Sequence, residues 1–306
     1  GNAVEYMYEK GICDVDFVIC NTDYQALRNS PIPCKIQLGK ELTAGHGAGN
    51  NPAMGEKSAQ ESLADIEAIL KKDTRMAFIT AAMGGGTGTG AAPVIAKLFK
   101  DMGILTVGIV SVPARFEGPK RLDQARDGLR RLKDHVDCLI VIDNEKIKSI
   151  YGSQTISQAF AKANDVLNIA AKGIAEIITL PGYINVDFAD VRTVMTDSGV
   201  AIMGAAQASG EDRAIRAITE ALESPLLNNN DILGAKDILL NITSGTDEIT
   251  MDEMSQITSH IIRKVGNNAA VIWGVGTDPD LGDAISVTII ATGFPTGDIE
   301  LFGEEN

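Results

Sequence analysis

The chain has 306 residues, 44% of them hydrophobic, and its 41 acidic against 27 basic side chains leave a formal net charge of −14. That length accommodates two domains with cores of their own, and that charge argues against nucleic acid as a partner, because a phosphate backbone is held by clustered cations. No apolar run approaches the roughly 20 residues that cross a bilayer, and no signal peptide opens the sequence. Cys13, Cys20, Cys34 and Cys138 form no CxxC pair and lack metal-ligand spacing with His46, His135 or His260. We therefore expect reduced thiols in a cytoplasmic protein, no protein-bound metal and no direct membrane insertion.

The opening "GNAVEYMYEKG" reads as a loop entering a helix with no strand before it, which leads us to expect a segment missing in front of Gly1. Continuous apolar runs then predict strands in "DVDFVIC", "RMAFITA", "ILTVGIVSV" and "CLIVID", the pattern of a sheet covered on both faces. Helical patterns lie between them: "GEKSAQESLADIEAILKK" after Pro52, "GAAPVIAKLFKDMG" with Pro93 fitting a first helical turn, and "KRLDQARDGLRRLKDHV". A βαβ series of this kind predicts a Rossmann-like parallel sheet over residues 1–154.

Thr155 to Thr179 keep helical apolar spacing for about seven turns, with Pro181 and Gly182 as a stop signal. This predicts a long central helix, 155–180, joining two domains. After it, "NVDFADVRTVM", "EDRAIRAITEALES" and "TMDEMSQITSHIIRKV" read as helices, and "GVAIMGAAQA", "AKDILLNITS", "AAVIWGVGTD" and "DAISVTIIATGF" as strands. We expect a smaller α/β domain with a mixed sheet over 181–294, and a flexible tail beginning at 295–306.

The stretch with most chemistry in it is "AAMGGGTGTGAAP", Ala81 to Pro93, where five glycines fall in seven positions between a strand and a helix. Strand-to-helix glycine loops hold phosphate in α/β proteins, since the free N–H groups and the positive end of the helix dipole face the anion and no side chain blocks it. A tight turn alone would need only one or two glycines. No lysine follows the run, so a Walker-type P-loop is excluded. Gly86, Gly88 and Ala91 match GxGxxA and leave a nicotinamide-dependent oxidoreductase open, although the acid that would bind ribose at the end of the next strand is absent and only Glu117 lies beyond it. A second glycine segment, "LTAGHGAGNNPAMG", precedes another helix and suggests phosphates held by more than one loop.

GGGTGTG, with "NAV" at Asn2, "NTD" at Asn21 to Asp23, "GAGNNP", "FEG" with Arg121, "NVDFADV" and the final "ATGF", resembles the tubulin and FtsZ superfamily over nearly the whole sequence. The resemblance implies a GTPase of bacterial cell division that polymerises head to tail into filaments at mid-cell, with a first strand and glycine run in front of the position of Gly1. By position it assigns Gly84, Gly85, Gly86, Thr87, Gly88, Thr89 and Gly90 to the nucleotide phosphates, and Ala48 and Gly49 to the γ-phosphate side. Glu117 would meet the ribose, Arg121 the phosphate region and Phe160 the guanine face, while Asn2 and Asn164 would hydrogen-bond the guanine edge. Asp23 and Asn144 join the nucleotide contacts. Where some relatives carry Asp, this chain has Asn164 followed by Asp165, and an amide offers one acceptor oxygen to the two guanine N–H groups.

Asn185, Asp187 and Asp190 would project into the site of the next subunit and position the attacking water. Read without the resemblance, Asp187 and Asp190 share a helix face and would serve as a cap. Mg²⁺ is expected with GTP, to neutralise the triphosphate. Membrane tethers and division regulators would bind a C-terminal tail beyond Asn306. A filament scaffold that binds nucleotide without turnover remains a further alternative.

Overall fold

The computed structural model describes residues 2–11, 15–179, 182–184, 186–223, 232–266 and 269–294, in two compact units that divide at Asn168 and Ile169. The first carries α1 (Asn2–Lys10), β1 (Val18–Asn21), α2 (Tyr24–Asn29), β2 (Cys34–Gln37), α3 (Lys40–Thr43), α4 (Pro52–Glu61), α5 (Leu63–Ala68), β3 (Met76–Ala82), α6 (Thr87–Asp101), β4 (Leu105–Val112), α7 (Pro119–Lys133), β5 (Cys138–Asp143), α8 (Asn144–Tyr151) and the start of α9 (Ile156–Thr179). The expected tail, 295–306, lies outside the described residues.

All strand pairs of this unit are parallel. β1 runs beside β2 from Val18↔Cys34 to Asn21↔Gln37, and β3–β4–β5 form a block with Met76 opposite Leu105 and Val107 opposite Cys138. Every residue of β4 is buried, as a strand sandwiched between helices requires. Phe99 and Ala96 of α6 and Leu129 and Leu132 of α7 join Val110 and Leu139 in one core, while Ile19, Leu27 and Ile32 make a smaller one.

Two expectations need correction. The helix read from 55 to 72 is broken into α4 and α5 at Ser62, where the backbone leaves helical angles and Ser62 Oγ serves β2 and its exit: it accepts the Gly39 N–H at 3.1 Å and donates to the Gln37 carbonyl at 3.4 Å. The second concerns α6, which starts at Thr87, inside the glycine run, so Pro93 is its seventh residue and not part of its first turn. Close packing of Gly88 and Gly90 rewards that extension and outweighs both their poor helix propensity and the bond Pro93 cannot make.

The second unit holds β6 (Gly182–Ile184), α10 (Phe188–Met195), β7 (Gly199–Val200), β8 (Ile202–Ser209), α11 (Arg213–Leu222), β9 (Asp237–Ser244), α12 (Met251–Val265), β10 (Ala270–Thr277) and β11 (Ala284–Thr292). The run read as one strand from 199 is interrupted at Ala201. Its five-stranded sheet has the order β6-β10-β9-β11-β8 and is mixed: β10 and β9 are parallel, and β11 is antiparallel to both β9 and β8. Arg213, 5% exposed, staples the start of α11. Its guanidinium pairs with Glu253 of α12 at 2.7 Å and donates to the carbonyls of Asp247, Glu248 and Asp283.

Candidate functional site

The loops after β1, β3, β4 and β5 all leave the carboxyl ends of parallel strands, where open α/β sheets place their ligands. After β3, Met83 still reaches across to the Ser111 carbonyl (2.8 Å), and Gly84 then turns the chain at φ +98°. A side chain there would be strained and would stand 2.9 Å from the Arg121 carbonyl oxygen. The Gly84 N–H is anchored on Thr89 Oγ1 at 2.8 Å. The Gly90 N–H donates to the Gly86 carbonyl at 3.1 Å. The N–H groups of Thr87, Gly88 and Thr89 precede it in the first turn and have no intrahelical partner; those of the half-buried Thr87 and Gly88 are available to an anion.

The five glycines divide their work. Nothing lies within 4 Å of where a Gly85 Cβ would stand, so that position faces open space. At Gly86 a Cβ would be 2.7 Å from the Asn51 nitrogen and 2.9 Å from Ala48 Cβ, which brings the second glycine loop directly against the first. At Gly88 it would lie 2.5 Å from the Ala82 carbonyl oxygen of β3. At Gly90 it would overlap the Pro52 carbonyl of α4, and a Cβ on Gly55 of α4 would overlap the Gly86 carbonyl. α4 and α6 thus meet backbone to backbone.

The second loop reaches its place through left-handed residues at Ala44, Gly45, Gly47, Gly49 and Asn50. Thr22, after β1, holds it: its carbonyl accepts the Gly47 N–H (3.2 Å), and its hydroxyl lies 2.6 Å from that of Thr87. Asn51 caps α4 through the Ala53 N–H (3.0 Å), and Gln124 of α7 donates to the Asn50 carbonyl. Asp23 is the cap of α2, accepting from Gln25 at 2.8 Å and Ala26 at 3.2 Å.

β4 ends at Val112, and Pro113 follows it without an acid. Glu117 closes a 3₁₀ turn, Arg115–Glu117, and its carboxylate accepts the Ala114 N–H (3.0 Å) and pairs with Arg121 at 2.6 Å. This joins the two residues assigned to ribose and phosphate. At the end of β5, Asp143 caps α8 through the Glu145 N–H; burial raises its pKa, an effect that bond opposes. Next to it, Asn144 Oδ1 is buried with no hydrogen-bond partner among the described residues, the condition of an acceptor waiting for a ligand or water.

On α9, Asn164 is half-buried, and the neighbouring Asp165 is already engaged. It accepts a short hydrogen bond from the Tyr6 hydroxyl, which raises the tyrosine pKa, and lies 3.6 Å from Lys162 Nζ. The bond ties α1, which begins at Asn2, to the turn of α9 that carries Asn164. The side chains of Asn2 and Phe160, and the whole of Asn185, lie outside the described residues.

Asp187 and Asp190 belong to the second unit. Both are exposed, and Asp187 accepts the Ala189 N–H at 3.3 Å as the cap of α10. Among the described residues there is no group of three His, Cys, Asp or Glu side chains placed to hold a metal, and no helix long and apolar enough to cross a membrane. Sequence reasoning missed Thr22, Asn51 and Tyr6 as organisers of the site; "NTD" and "GAGNNP" contained the first two, but only folding reveals what they hold.

The Tubulin/FtsZ family GTPase domain matches residues 1–152, and the FtsZ family C-terminal domain matches residues 199–295. A "Cell division protein FtsZ" from Porphyromonas gingivalis is 48% identical over 96% of this chain, which spans 65% of that protein's length. One of the same name from Buchnera aphidicola is 48% identical over 97% of the chain and 77% of its own. A solved FtsZ dimer from M. jannaschii superposes with a TM-score of 0.90 at 40% identity, covering 100% of this chain and 91% of that one. Two glycine loops joined at the carboxyl ends of a parallel sheet, a second unit with a mixed sheet, and these matches over both halves agree: the chain belongs to the FtsZ family of tubulin-like cell-division GTPases.

Proposed function

We propose that this chain binds GTP across its two glycine loops and hydrolyses it in a head-to-tail polymer, in which Asn185, Asp187 and Asp190 of one subunit complete the site of the next. The observation that carries the reading is the close approach of the loops at Gly86, with Asn51 and Ala48 against it. Two loops in contact present backbone N–H groups from two directions, which fits a chain of phosphates. Gly85 leaves the backbone open to the ligand, and Asn144 Oδ1 supplies a buried acceptor without a partner among the described residues.

Hydrolysis needs a group that orients water. The assigned nucleotide residues supply hydroxyls, amides and two carboxylates, Glu117, already paired with Arg121, and Asp23, already engaged as the cap of α2. The acids at the start of α10 are exposed, Asp187 with only one oxygen spent on the Ala189 N–H, and would do that work in trans. A heterologous interface of this kind does not close and so generates filaments. Mg²⁺ fits as a phosphate-bound ion, since it commonly takes few protein ligands and no acidic cage stands among the described residues; when bound it would neutralise charge on the phosphates. Residues 1–154 form the nucleotide domain in this reading, 155–180 the joining helix and 181–294 the activating domain. Action at the mid-cell division site, with tethers and regulators bound through a C-terminal tail, completes it.

The experiment is phosphate release from GTP as a function of protein concentration. A threshold above which specific activity rises is expected from a shared site. Constant specific activity down to high dilution would mean that each chain hydrolyses GTP alone and would remove Asp187 and Asp190 from the mechanism.

A further inference from the structure

Thr22 is fully buried, at 0% exposure, yet two separate loops depend on it. Its carbonyl accepts the Gly47 N–H at 3.2 Å and the Thr43 hydroxyl at 3.3 Å, while its own hydroxyl lies 2.6 Å from Thr87 Oγ1 at the first residue of α6. Its side chain has no exposed surface and its hydroxyl already meets that of Thr87. Thr87, by contrast, is only half-buried and opens the helix whose free N–H groups face the phosphate position.

The direction of the hydroxyl pair follows from the chemistry of the ligand. Phosphate oxygens are acceptors only, so Thr87 can serve them only as a donor. Its oxygen must then accept from elsewhere, and Thr22 is the hydroxyl within reach. The pair forms a two-step chain, Thr22 O–H to Thr87 Oγ1 and Thr87 O–H to phosphate, in which each bond polarises the next. We infer that Thr22 is a positioning residue for nucleotide binding: it fixes the Thr87 hydroxyl as a donor and, through its carbonyl, sets the distance between the GGGTGTG loop and the loop at 44–51. The inference rests on the guanine-nucleotide reading above and assigns a role to a side chain that never touches the nucleotide.

The test is a double-mutant cycle read by equilibrium binding of a fluorescent GDP analogue, with Thr22→Val, Thr22→Ala, Thr22→Ser, Thr87→Val and the Thr22→Val/Thr87→Val pair. Loss of the Thr22 hydroxyl in Val or Ala weakens binding about five- to tenfold, the scale of one net hydrogen bond near a charged ligand. Thr22→Ser keeps the hydroxyl and restores binding to within about twofold of the parent. In the Thr87→Val background, Thr22→Val adds nothing, because the partner through which it acts is gone. A merely structural role would make the two penalties add.

Unchanged binding in Thr22→Val and Thr22→Ala, or full additivity in the pair, overturns the inference while leaving nucleotide binding by the parent intact. Failure of both hydroxyl-free variants to fold would assign the hydroxyl to stability and also overturn it. Failure of the parent chain itself to bind the analogue sinks the guanine-nucleotide reading, and the inference with it.

Discussion

Replacing Gly90 by alanine tests whether the glycine run is there for packing as well as for the ligand. The added Cβ would overlap the Pro52 carbonyl and stand 2.6 Å from the Glu56 nitrogen, both backbone atoms of α4 that no rotamer change can move aside. Real Cβ contacts stay above 3.0 Å, so α4 and α6 must part along their seam. Overpacking of this kind costs about 3 kcal/mol where backbone must shift, and alanine returns about 1 kcal/mol of helix propensity. The net loss of about 2 kcal/mol lowers the melting temperature of the first unit by about 4–8 °C. Gly85→Ala is the control: its Cβ meets nothing within 4 Å and its φ is not positive, so stability holds or rises slightly while the methyl group intrudes on the nucleotide and weakens its binding. Thermal melts and nucleotide titrations of the two variants separate the roles. A Gly90→Ala protein melting at or above the parent temperature would refute the packing argument.

Asp190→Ala is expected to abolish phosphate release while leaving nucleotide affinity within about twofold; loss of both together would return Asp190 to a structural role. Asp187→Ala should lose turnover and also about 1 kcal/mol of stability in the second unit, because it removes the cap on Ala189, a difference that denaturant titration of the two variants would reveal. Arg213→Met leaves three carbonyls without their donor and Glu253 with Thr250 alone, and should cost about 2–3 kcal/mol, measured by the same titration. The hydrogen bond from Arg213 holds the Glu253 carboxyl below its ordinary value of 4.5. The pair's stabilisation is therefore complete above about pH 4.5 and fades as pH falls further. Glu253→Gln should flatten that acid limb, and an unchanged limb would contradict the pairing.

Much of the fold is legible in the sequence because its signals are long. β4 is a continuous apolar run with every side chain buried, and α9 keeps its helical spacing over 24 residues. What escaped was short or decided at a distance. β2 has only four residues, one of them, Lys35, exposed, and no local pattern distinguishes it from a loop. The break at Ser62, where the backbone leaves helical angles, falls on a residue whose hydroxyl is held 23 residues away at Gly39, a contact with no local signature. The early start of α6 runs against local propensity and is won by contact with Ala82 and Pro52.

The site divides in the same way. The glycine loops announce themselves by composition, and family resemblance supplies Glu117 and Arg121, which the structure finds paired. Thr22 and Tyr6 carry no signal of their own, since a threonine after a strand and a tyrosine on a helix are commonplace until their partners at 87 and 165 are brought beside them.

The glycine seam between α4 and α6 has a consequence for inheritance. Elsewhere in a core, a leucine can become a methionine or a valine an isoleucine, so a position can drift through intermediate states. Gly55 and Gly90 have no such neighbours in sequence space: every coding change at either adds at least a methyl group against backbone. Mutational screens for heat-sensitive alleles should therefore collect many different substitutions at these two positions and few at Gly85, which has nothing within 4 Å of its Cβ position and no positive φ. The seam behaves as a genetic fixture, unable to vary gradually.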